Sequence, residues 1–160
     1  MEDAQFRRMG YPDRAMDATP HLLFGAALGM RMRNPLLAFA VGVASHACLD
    51  LLPHFNYTGW RPVSPARVVD VAVATGLSLL IARLSPSPLG TLAGATGGAF
   101  PDVERVLNGH AKDFFQRPPL SLQQHEIPPP WGLVTQAAVV AAALWLAWRG
   151  WQRSRHSVLT

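Results

Sequence analysis

Prolines and cap residues divide this chain into apolar runs, and that punctuation limits the fold more than any other feature of the sequence. Thr19-Pro20 opens the first run, with Thr19 suited to cap a helix and Pro20 to its first position. Asn34-Pro35 opens the second, and Pro53 stops it, because proline lacks the helical N–H and restricts the residue before it. Ser64-Pro65 opens the third, and Ser85-Pro86-Ser87-Pro88 breaks it. A glycine-rich run follows to Phe100, and Pro128-Pro129-Pro130 precedes the last. No run alternates polar and apolar residues as a half-buried strand does, and no repeat of solenoid period is present. The expectation is an all-α, compact bundle of about five helices near 19–32, 35–52, 65–84, 88–100 and 130–148.

The 160 residues fit one domain with a real core. The expected divisions are a polar leader at 1–17, a helical membrane domain at 18–149 and a basic tail at 150–160. Residues 1–17 lack the apolar stretch of a signal peptide. The single Cys48 has no partner for an internal disulfide and reads as a small buried hydrophobe.

Composition moves the reading towards the membrane. Apolar residues make up 49% of the chain and charged ones only 15%, against about 25% charged in ordinary soluble domains. The net charge of +4 rests almost wholly on arginine, since Lys112 is the one lysine. The arginines cluster at the ends of apolar runs, which suits anionic headgroups. They do not interleave with aromatics, so no nucleic-acid partner is expected. The Trp131–Trp148 run is the most lipid-like, with tryptophan near both ends and arginine beyond. It is just long enough to span a bilayer core, which takes about 20 residues; the other runs read as buried, tilted or partly inserted. Gly25 and Gly29, and the Gly90-Gly94-Gly98 stripe, are faces for close helix packing or homo-oligomer contact. The setting is a cell membrane, bacterial or archaeal.

Chemistry concentrates in His46-Ala-Cys-Leu-Asp50-Leu-Leu-Pro-His54. His46 and Asp50 are one helical turn apart and face the same way. His54 follows the Pro53 stop and can fold back towards them. Imidazole plus carboxylate on one rigid element grips divalent metals well; a buried His–Asp hydrogen bond is the alternative. Between Leu36 and Leu52 only Ser45, His46 and Asp50 are polar, and an ionised carboxylate there is expensive without a compensating cation. His21, in the first turn of its helix, reads either as a ligand or as a solvent-facing histidine. Asp102 reads as a ligand or as the N-cap of a short helix over 103–107. Asp70 reads as a charge near its own helix start. His110 and His125, in loops, read as surface histidines.

Three strings, Thr19-Pro-His21-Leu-Leu-Phe-Gly-Ala-Ala, Ser45-His46-Ala-Cys-Leu-Asp50-Leu-Leu-Pro-His54-Phe-Asn-Tyr57 and Gly98-Ala-Phe-Pro-Asp102, resemble small membrane-bound proteins classed as metal-dependent hydrolase-like. A distant likeness to zinc-dependent phospholipase C rests on the His-x3-Asp helix. The resemblance, over residues 19–147, implies a helical bundle in or on the membrane with histidines and aspartates converging on a divalent metal, zinc foremost. It carries His21, His46, Asp50 and Asp102 over as metal ligands and His54 as ligand or neighbour. Asp70 and His125 match it less closely. The chain is shorter than phospholipase C, which points to one or two ions rather than three. The implied function is a membrane-associated metal-dependent hydrolase of a phosphoester or lipid-linked substrate, with Asp50 and His54 as its catalytic candidates. The alternative is a non-catalytic membrane protein whose His/Asp cluster is structural, with or without metal.

Overall fold

The structure, a computed structural model, describes residues 18–54, 65–108 and 130–156. These form five helices and, among the described residues, no strand: α1 (Ala18–Gly29), α2 (Pro35–Asp50), α3 (Pro65–Leu84), α4 (Pro88–Asn108) and α5 (Trp131–His156). The leader at 1–17, Lys112, His110 and His125 lie outside them.

The central element is α1, which packs against all four other helices. Its sequence explains the position. ATPHLLFGAALG has no polar stripe, and a helix without one belongs in the interior. Leu23, Ala26 and Ala27 are fully buried and join Met30, Ile81, Ala95, Ala143 and Ala147 in one core cluster. Alanines on α5 let that helix lie close to α1.

Glycine sets the tightest contacts. Gly94 of α4 is wedged between α1 and α2: a Cβ there would collide with the Gly25 carbonyl oxygen, and one on Gly42 with the Gly94 carbonyl oxygen. Only glycine on both sides permits backbones to approach this closely. The stripe is therefore a three-helix seam within one chain.

Pro101 does not end α4, which continues to Asn108. The expected stop at Phe100 is therefore wrong, and Asp102 lies inside a helix rather than capping a new one. An interior proline costs a helix about 3 kcal/mol; packing against α1 and α2 on both sides outweighs it. α1 begins at Ala18, which puts Thr19 in its first turn and not at the cap. α5 runs to His156, so the arginines of the expected basic tail extend the last helix. Cys48 is exposed and is not the buried hydrophobe expected. Asn34 caps α2 as read, its side-chain oxygen accepting from the amides of Leu36 at 2.9 Å and Leu37 at 3.2 Å.

The distribution of polarity is unusual for a water-soluble bundle. His21, Ser45, His46, Asp50, His54 and Asp70 are buried. Leu36, Val69, Leu79, Leu89, Trp131 and Trp145 are each at least half exposed. By length and composition α3 and α5 can each cross a membrane. A bilayer core is about 30 Å thick, close to the rise of 20 helical residues.

Candidate metal centre

The site lies where the start of α1, the end of α2 and the second half of α4 meet. Each position has a local cause. Asn34-Pro35 fixes where α2 begins, and Pro53 follows its end. His46 and Asp50 fall in its last turns, one turn apart, both on the buried face. His21 occupies the first turn of α1 and is fully buried.

Asp70 holds that turn in place from α3. Its Oδ2 accepts the Ala18 amide at 2.6 Å, and its Oδ1 accepts the Thr19 hydroxyl. It does lie near a helix N-terminus, but the one it serves is that of α1, where a carboxylate both caps exposed amides and opposes the helix dipole.

Around Asp50 the geometry is close. His21 Nε2 is 3.4 Å from Asp50 Oδ1, and His46 Nε2 is 3.3 Å from Asp50 Oδ2. The two imidazoles stack with centroids 4.0 Å apart. One ligand atom each from His21, His46 and Asp50 can be chosen so that all lie within 4.8 Å of one another, a group that could hold a metal ion. Donors each about 2.0–2.1 Å from one tetrahedral ion sit about 3.3–3.4 Å apart. Each His–Asp separation is of that size, although the two histidines approach different oxygens of Asp50.

The proton positions sharpen the chemistry. His46 Nδ1 is 2.7 Å from the Gly98 carbonyl oxygen. A carbonyl can only accept, so Nδ1 carries hydrogen and Nε2 of the neutral ring presents a lone pair to Asp50. A lone pair facing a carboxylate at 3.3 Å requires a proton or a metal ion between them. Holding a ligand histidine by its other nitrogen is the usual outer arrangement at metal sites.

Asp102 and His54 lie beside this group but are not part of it. Asp102 Oδ1 is 4.0 Å from His46 Nε2, and its side chain is one-fifth exposed. That places a carboxylate at the solvent-facing rim. His54 is 1% exposed. Its Nδ1 donates to the Leu52 carbonyl at 2.9 Å, which turns the ring inward past Pro53. Its Nε2 is buried with no hydrogen-bond partner among the described residues. Of the five residues singled out from sequence, His21, His46 and Asp50 form the tight group, Asp102 lies 4.0 Å from His46, and His54 is buried just past the end of α2. Sequence reasoning missed the Gly98 carbonyl, since a backbone acceptor has no side-chain signature.

Comparison with protein-family models, with curated proteins and with solved structures found no match to this chain.

Proposed function

We propose that the chain is a membrane-associated metal-dependent hydrolase acting on a phosphoester or lipid-linked substrate. The observation that carries this reading is the buried convergence of His21, His46 and Asp50 in a bundle that exposes many large apolar side chains. Two imidazoles and one carboxylate form a donor set common to catalytic zinc sites, which keep a further position open. The Nε2 of His54, without a hydrogen-bond partner among the described residues, is the kind of buried polar atom that needs a nearby ligand or water.

His21, His46 and Asp50 would hold the ion, and zinc is the first choice for nitrogen and oxygen donors of this kind. When bound, such an ion lowers the pKa of a coordinated water to about 7 and polarises the scissile group. The Gly98 carbonyl orients His46 through Nδ1. Asp102, at the rim, would accept a proton from an incoming water or substrate hydroxyl, and His54 Nε2 would orient that group. In this scheme Asp50 serves as a ligand, Asp102 as the base and His54 as the group that orients the water. α3 and α5 would anchor the protein in the bilayer, which puts lipid-borne substrates within reach.

A second reading has its own support. A proton between His46 Nε2 and Asp50 at 3.3 Å would also satisfy that pair, making the cluster a structural polar knot. The experiment that separates the two is phosphodiesterase and phosphomonoesterase assay of the detergent-purified chain, metal-loaded and chelator-treated, beside His46→Ala. Turnover that requires both metal and His46 supports the hydrolase. A protein that neither binds metal nor turns over any phosphoester supports the structural knot.

A further inference from the structure

The two ends of the bundle carry opposite chemistry. Contacts fix which residues share the end remote from the histidines. Arg31 donates to the Leu146 carbonyl at 3.4 Å, tying the end of α1 to α5. The Ser87 hydroxyl donates to the Met32 carbonyl at 2.6 Å, tying the α3–α4 connection to the α1–α2 connection. Gly150 of α5 packs on Met30. Arg31, Arg33, Arg83, Arg149, Arg153 and Arg155 therefore lie at or beyond this end, and all six are exposed.

Among the described residues no carboxylate accompanies them. The acidic residues among those described, Asp50, Asp70, Asp102 and Glu104, all belong to the other half of the bundle, as do Arg67 and Arg105. None of the six arginines forms an ion pair among the described residues. Arg149 instead lies over the Trp145 ring and Arg155 over the Trp151 ring, each 5.0 Å from the centroid. From Trp131 to Trp148 α5 rises about 27 Å, close to the ~30 Å hydrocarbon thickness. The arginines that follow thus fall at headgroup depth, with their aromatic partners at the interface.

We propose that this arginine end, free of carboxylates among the described residues, is a docking surface for the phosphate groups of an anionic lipid leaflet, separate from the histidine–aspartate site. Guanidinium forks pair with phosphate oxygens in bidentate fashion. Six unneutralised ones on three neighbouring segments provide charge complementarity that zwitterionic lipid does not answer. The inference rests on the membrane part of the proposed function and is independent of the metal.

The test titrates the full chain, in neutral-detergent micelles, with brominated phosphatidylglycerol or brominated phosphatidylcholine and reads quenching of tryptophan fluorescence. Phosphatidylglycerol should bind more than about tenfold tighter, at roughly fivefold per engaged arginine. The triple variant Arg31→Gln/Arg83→Gln/Arg149→Gln should lose on the order of 100-fold, and Arg67→Gln should lose little. Should the triple variant misfold by circular dichroism, salt titration of the wild type gives the same reading, because screening at 1 M shortens the Debye length to about 3 Å and should erase the preference. Equal binding of both lipids, a preference that survives high salt or the triple variant, or displacement by millimolar inorganic phosphate would each overturn the lipid surface. A chain that stays soluble without detergent would instead refute the membrane reading beneath it.

Discussion

His46 donates its Nδ1 hydrogen to the Gly98 carbonyl oxygen across 2.7 Å, and Gly98 packs so closely on α1 that a Cβ there would strike the His21 carbonyl oxygen. One glycine thus sets both the tautomer of one histidine and the distance of the other. Gly98→Ala should separate α4 from α1. Overpacking of this kind typically costs 1–3 kcal/mol, and divalent-metal affinity should fall with it. Thermal unfolding with and without metal measures both; a variant with wild-type melting and wild-type affinity would contradict this role.

Asp70 should matter to the site without touching it. Asp70→Ala removes the acceptor for the Ala18 amide and the Thr19 hydroxyl, three and two residues before His21. Losing hydrogen bonds to a charged acceptor costs about 1.5–3 kcal/mol. Asp70→Asn, which keeps one acceptor oxygen, should recover part of this. Denaturation of the three proteins in the same detergent gives the order wild type, Asn, Ala. An Ala variant as stable as wild type would show that the clasp does not hold α1.

That clasp shows how far the sequence alone could be read. Helix positions were legible because capping and proline stops are local: Asn34-Pro35 and Pro53 bound α2 in the sequence as they do in the structure. The His46–Asp50 pair was legible because its spacing is helical. The extension of α4 through Pro101 was not, since tertiary packing overrides the local penalty. The pairing of Asp70 with α1, more than fifty residues away, leaves no mark in either segment. Cys48 was misplaced because an apolar run does not reveal which of its faces points outward.

Metal binding should depend on pH in one direction. Ligand histidines must shed protons to bind, so binding releases protons and affinity falls as the solution is acidified. Titration calorimetry in buffers of different ionisation enthalpy counts those protons. Heat that does not vary with the buffer would argue against histidine ligands.

The outward-facing valines, leucines and tryptophans of α3 and α5 predict that the chain sediments with membranes and needs detergent for extraction. In detergent its circular dichroism should be helical without a strand component. Recovery in the high-speed supernatant would contradict the anchoring.

The most direct test of the central claim is metal analysis of the detergent-purified chain beside His46→Ala and Asp50→Ala. The buried His21–His46–Asp50 group predicts one or two divalent ions per wild-type chain. Loss of a direct ligand should cost at least the 10–100-fold in affinity that loss of an outer partner typically does, and the melting temperature should fall because binding stabilises the folded state. Arg153→Gln should change neither quantity. Substoichiometric metal in the wild type after incubation with zinc, or unchanged metal content in His46→Ala, would contradict the account.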